Sequence, residues 1–187
     1  MTIANCIVRH FSNGGTGTGI IVGPSGGSPI KLAITDTASS DNRYDGIEVQ
    51  PTGSGGVIGI IKGALIDNNS NHGLYIDGSH TTGQIALAVV DSVASNNSND
   101  GFGFDAGNAG AGAAALFDHV TAIGNGTGLS ITNFAVGSVR RSNITGNTAG
   151  VFIQIATQGV AQSSQDNLVT GNGTDFSYGS FAPISLK

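Results

Sequence analysis

Residues 68–77 read NNSNHGLYID, and residues 96–105 read NNSNDGFGFD. In both, an asparagine-rich turn runs into Gly, an apolar residue, a free position, a second apolar residue and Asp. Aligned on that Gly, the phrase recurs at Gly19, Gly46, Gly73, Gly101, Gly128 and Gly150, with Asp175 taking the place in GNGTDFSY. The segments that follow are GIIV, GIEV, GLYI, GFGF, GLSI, GVFI and DFSY, and a second apolar run such as QIALAVVDSV or AAALFDHV precedes the turn. A unit of 22 to 28 residues with alternating rather than helical periodicity is one coil of a solenoid. Such a coil completes a core only by stacking on its neighbours.

Alternation turns the first and third apolar residues inward, so Leu74 and Ile76 are expected to stack between Ile47 and Val49 on one side and Phe102 and Phe104 on the other. Equivalent strands return in the same direction after a full circuit. That predicts parallel sheets, with about three short strands to a coil and coils about 4.8 Å apart. An Asn at a tight corner tolerates left-handed backbone angles and can bond to the next coil. Asn68 with Asn96, and Asn125 with Asn147 and Asn172, are the expected ladder.

Composition points the same way. The 187 residues include 31 Gly, only 10% are charged and none is Trp. Exposed helix faces need Glu, Lys and Arg, whereas this vocabulary of Asn, Ser, Thr, Gly, Val and Ile suits strands and turns. Seven Lys and Arg against twelve Asp and Glu cannot form a phosphate-tracking stripe, and no polybasic segment faces a membrane. Neither nucleic acid nor membrane is expected as a partner. The single Cys6 excludes an intramolecular disulfide and reads as a small buried residue on an early strand. Met1 to Ser12 lacks the basic start and apolar run of an export signal.

The phrases IGNGTGLSI and ITGNTAGVFI resemble the right-handed parallel β-helix repeat of the pectate-lyase-like superfamily, and especially its bacterial β-helix repeat modules. The resemblance covers nearly the whole chain. It implies an all-β, right-handed parallel β-helix (solenoid) of about seven coils, as one domain over residues 1–187, located outside the cell or on its surface. MTIANCIV is already in phase with SPIKLAIT, so the first coil is expected to be uncapped, as in a fragment or module of a longer polypeptide or in a chain able to self-associate, with residues 175–187 as a C-terminal lid.

In that superfamily polysaccharide is bound or cleaved on outward side chains of stacked strands. The outward middle positions here are Ile21, Glu48, Tyr75, Gly103, Ser130 and Phe152, and the central coils gather Asp45, Glu48, His72, Tyr75, Asp77, Asp100 and Asp105. Asp77 and Asp105, on adjacent coils, could share a proton, bind Ca²⁺ or act as acid and base, with Tyr75 as a sugar platform and His72 as a proton carrier. The plainer reading is favoured: an Asp ends a strand because it caps the next turn. Two carboxylates also fall short of the oxygen ligands Ca²⁺ takes, so no metal site is expected. Asp67, Asp91 and Asp118 read as turn residues, the last two in equivalent places, and Arg140 with Arg141 as a basic pair that could grip a carboxylated sugar.

The paired-acid and basic signatures of polygalacturonases and pectate lyases are not intact. The expected function is therefore a β-helix scaffold or carbohydrate-binding module without complete catalytic machinery. A lyase, hydrolase or epimerase acting on acidic polysaccharide is the alternative, and an oligomerising or engineered solenoid segment is a third.

Overall fold

A computed structural model describes residues 1–12, 17–107, 112–154 and 159–184. The described residues form strands and turns without helix. The first sheet stacks β1 (Thr2–Ala4), β4 (Ile30–Thr35), β7 (Val57–Lys62), β10 (Ile85–Val90), β13 (Ala114–Asp118), β16 (Val136–Arg140), β19 (Val160–Ser163) and β22 (Ala182–Pro183). The second stacks β2 (Ile7–Arg9), β5 (Ala38–Ser40), β8 (Leu65–Asp67), β11 (Val93–Ser95), β14 (Thr121–Ile123), β17 (Asn143–Thr145) and β20 (Leu168–Val169). The third stacks β3 (Ile20–Val22), β6 (Ile47–Val49), β9 (Leu74–Asp77), β12 (Asp100–Asp105), β15 (Thr127–Thr132), β18 (Ala149–Ile153) and β21 (Thr174–Ser177). Every strand pairing is parallel, so the chain is a β-solenoid. The seven rungs of the third sheet are joined by six circuits, which is why about seven repeats in sequence make about six full turns.

The core follows the alternation. Ile47, Leu74, Phe102, Leu129 and Val151 form one inward column, and Val49, Ile76, Phe104, Ile131 and Ile153 the next, all with almost no exposure. The Phe102 ring meets Phe117 of the first sheet at 5.9 Å, so the sheets interlock across the interior.

The corner between the second and third sheets carries the asparagine ladder. Asn42, Asn69, Asn97, Asn125 and Asn147 each donate from Nδ2 to Oδ1 of the next, ending on Asn172, at 2.9 to 3.0 Å. Asn172 donates in turn to the Asp175 carboxylate. The expected Asn125, Asn147 and Asn172 lie on it, whereas Asn68 and Asn96 do not. Those two stand one residue earlier, exposed, with φ of 54°. There their amides reach Asp41 and Asp67 on the coil below. The turn needs one left-handed residue and one inward residue side by side, and NN supplies both.

The recurring Gly has its reason here. A Cβ on Gly46, Gly73 or Gly101 would lie 2.7 to 2.8 Å from the Nδ2 of Asn69, Asn97 or Asn125. Only a residue without a side chain lets the ladder stack that closely.

The corner between the first and second sheets uses hydroxyls instead. Thr37, Ser92 and Ser142 each turn a hydroxyl back to the carbonyl two residues earlier. On the neighbouring coil the backbone N–H of Cys6, Ala64 and Val120 donates to that oxygen. Cys6 is thus a half-buried corner residue between β1 and β2, not a strand residue, because the chain bends there. Asp118 ends β13 beside Val90, so it is His119 that stands against Asp91, correcting their supposed equivalence. Of the expected lid, residues through 184 are described: β21 and β22 add rungs, and Phe176 meets Phe181 edge-on at 5.3 Å.

Candidate functional site

The third sheet's outward column runs Ile21, Glu48, Tyr75, Gly103, Ser130 and Phe152 in register. Where the ladder corner enters the sheet, Asp45, His72 and Asp100 succeed one another on three coils. Five of the seven candidates, Asp45, Glu48, His72, Tyr75 and Asp100, therefore meet at one end of β6, β9 and β12. Asp77 and Asp105 sit at the opposite strand ends, paired in register.

The first group is interlocked. Asp45 Oδ1 accepts from the His72 backbone N–H at 2.9 Å and from Asn71 Nδ2 at 2.8 Å. The Asp45 side chain is fully buried, and burial holds its carboxyl above the ordinary range. Burial also raises Glu48, helped by the negative charges of Asp45 and Asp77. Thr18 Oγ1 lies close enough to Glu48 to pull it partly back. Even so, Thr18 Oγ1 and Asp45 Oδ2 are the buried side-chain oxygens without a well-formed hydrogen bond among the described residues. His72 Nδ1 stands 3.2 Å from Asp100 Oδ2, with both side chains 13% exposed.

The rings of His72 and Tyr75 stack with centroids 4.5 Å apart and planes within 13°. On the next rung Gly103 leaves the space that Tyr75 takes: a Cβ there would meet Tyr75 Cδ2 at 2.9 Å and Asp100 Oδ2 at 3.1 Å. Tyr75, half-buried, has its phenol pushed well above the usual tyrosine range, by burial first and then by the charges of Asp105, Asp77, Asp100 and Asp45. It remains a protonated donor at any ordinary pH.

Asp77 and Asp105 are engaged in turns. Asp77 Oδ1 accepts from Ser79 N–H at 2.8 Å, and Asp105 Oδ1 from Gly107 N–H at 2.7 Å. Asp105 Oδ2 takes Asn133 Nδ2 at 2.7 Å, and Asp77 Oδ2 takes Gln50 Nε2 at 3.4 Å. Among the described residues no group of three or more His, Cys, Asp or Glu is placed to hold a metal ion.

Arg140 and Arg141 lie far round the coil and both bind Asp118, at 2.8 and 2.7 Å. Arg141, then Arg140, hold the Asp118 carboxyl below its ordinary value. The half-exposed guanidiniums close off an otherwise accessible carboxylate. Reasoning from the sequence missed this triad, since its members are 22 and 23 residues apart. The signal available was the opposite charge one coil away in the aligned repeats. The fold and ladder together define a parallel β-solenoid, with a ring pair and carboxylates on the third sheet. Comparison with family models, curated proteins and solved structures finds no match to this chain.

Proposed function

We propose that the chain is a carbohydrate-binding β-helix module, with its glycan site on the outer face of the third sheet around Tyr75. The observation that supports this reading is the aromatic pair over Gly103 with carboxylates at its edge. Sugar rings lay their C–H faces on aromatic planes, and carboxylates accept from sugar hydroxyls. The strands of this face carry Asp and Glu but no Lys or Arg. A uronate would meet repulsion there without a cation to offset it. Neutral or amino sugars fit better than acidic polysaccharide.

The enzyme reading draws on one feature, the His72 and Asp100 pair, which could pass a proton. Against it, Asp77 and Asp105, the carboxylates best spaced for acid and base work, are held in turns.

A glycan array spanning neutral, amino and uronic sugars tests the proposal, beside an assay for unsaturated or reducing ends. Binding to neutral or amino glycans, reduced at least tenfold in Tyr75→Ala, is expected. Turnover of a uronate polymer that is lost in His72→Ala would replace this reading with the enzyme.

A further inference from the structure

A glycan lying on Tyr75 meets the rung below as well. Glu48 pairs with Tyr75 in register, so the two residues stand about 4.8 Å apart along the solenoid. Asp45 stands to Glu48 as His72 stands to Tyr75: in each coil two residues, Gly46 and Ile47 or Gly73 and Leu74, turn inward between them. That spacing lets the His72 and Tyr75 rings meet at 4.5 Å, and it sets Asp45 beside Glu48, whose carboxyl feels the Asp45 charge. Thr18, one coil lower in the Asp45 column, completes a group of three.

This group is short of donors. Asp45 Oδ1 is served by His72 N–H and Asn71 Nδ2. Asp45 Oδ2 and Thr18 Oγ1 have no hydrogen-bond partner, although Asp45 is 0% and Thr18 6% exposed. Thr18 Oγ1 is turned toward the Glu48 carboxyl, and Glu48, 9% exposed, is the most accessible of the three. Buried acceptors without donors are costly, and buried carboxyls without a cation more so. The positive group that acts on both acids is His72, and the strands of this face carry no Lys or Arg.

The complement of such a group is a cation that carries several donors. A metal ion matches it poorly, since two carboxyls and one hydroxyl fall short of the oxygen ligands that a hard cation gathers. A primary ammonium puts one charge and three donors on a single atom. Resting on the glycan reading, we propose that the ligand is a glycan of amino sugars with free, protonated amino groups, its ring on Tyr75 and its ammonium on Glu48, with Asp45 and Thr18 behind. A sugar hydroxyl in that place would leave the two acids without a counter-charge. An N-acetyl group would offer one N–H and set its carbonyl oxygen against both carboxyls.

Isothermal titration calorimetry at low salt compares a glucosamine oligomer with its N-acetylated counterpart of equal length. Wild type is expected to bind the amino form at least tenfold more tightly, and added salt narrows the difference. In Glu48→Gln, which keeps the shape and loses the charge, the ratio falls toward one. Asp45→Asn lowers it by a smaller factor, and Tyr75→Ala weakens both sugar forms. Far-UV circular dichroism checks that each variant folds. The chain has a formal net charge of −5, so a lysine oligomer of equal charge serves as the control for attraction by charge alone. It is expected to bind at least tenfold more weakly than the amino sugar. Equal binding of the two sugar forms by wild type, or a preference that survives Glu48→Gln, overturns the ammonium assignment and leaves the glycan site standing. A lysine oligomer that binds as tightly as the amino sugar overturns it in favour of a cationic peptide. If no oligosaccharide of either form binds, the glycan reading itself falls, and the ammonium assignment with it.

Discussion

Two neighbouring asparagines in one turn do different work, and their substitution should separate the two. Asn97 is buried and bonds in four directions: Nδ2 to Asn125 Oδ1 and Ile66 O, with Oδ1 accepting the Asn69 backbone and side-chain N–H. Asn97→Ala leaves those partners stranded in the interior, and the expected loss is about 2 to 4 kcal/mol. Asn96 is exposed and serves mainly to adopt positive φ. In later coils Gly124, Gly146 and Gly171 do the same. Asn96→Gly is therefore expected to change stability by less than about 0.5 kcal/mol. Urea denaturation of both variants checks this, and equal losses would contradict the placement of the ladder one residue after Asn96. Asp45 offers a second test. Its folded carboxyl is raised by burial, so the native chain holds that proton more tightly than the unfolded one. The associated stability is full below the unfolded value near 4 and is lost as pH rises through the raised folded value. Asp45→Asn keeps an oxygen for His72 N–H and removes the ionisation. Its melting temperature should gain on wild type as pH rises above about 4. The opposite slope comes from Asp118, whose lowered carboxyl stabilises above its unfolded value and loses that effect as pH falls. Comparing variant with wild type at each pH cancels that background, and parallel curves would mean Asp45 is not desolvated.

At the level of the strand, the sequence carried the inward and outward assignment because a two-residue period leaves no freedom once one position is known. Phe104 is inward with 1% exposure and stacks between Ile76 and Ile131. Phe104→Ala should cost about 3 to 5 kcal/mol, since coils on both sides hold the cavity open. Thr121, on the outer side of β14, is half-exposed, and Thr121→Ala should cost less than about 0.5 kcal/mol. Calorimetric melts of the pair decide it. The corners were less legible. An Asn tract signals a turn, yet which Asn points inward depends on where the strand resumes, and NN shifted the ladder from Asn68 to Asn69. The site was legible as a set of columns, which is how Glu48, Tyr75 and Gly103 could be aligned. The turn bonds of Asp77 and Asp105 were legible too, as strand-ending Asp residues that cap the next turn, but the His72 and Tyr75 stack was not, because rotamers leave no trace in a repeat.

For the whole molecule, the energy of a solenoid is a sum over coils and their interfaces, so its tolerance to change depends on register rather than on how much chain is altered. Asn69 and Asn97 occupy the same ladder position 28 residues apart. Deleting residues 69–96 removes one full period and joins Asn68 to Asn97. Asp67 and Asn68 then precede Asn97 and Ser98, and every column resumes in phase: Ile47 stacks on Phe102, Val49 on Phe104 and Asn42 on Asn97. The shortened chain loses one coil and the aromatic pair, and is expected to fold cooperatively with a lower melting temperature. Deleting Phe102 alone removes one residue and displaces the inward and outward sets of β12 relative to β9 and β15. Gly103 and Asp105 would then be driven toward the core and Phe104 toward solvent, a slip that strand pairing cannot absorb. Circular dichroism melts of the two deletions side by side give the answer. The larger deletion should show a single sharp transition, and the one-residue deletion a broad, early one. If instead the chain missing a whole coil failed to fold while the one missing Phe102 melted like wild type, coil-by-coil additivity would not describe this protein.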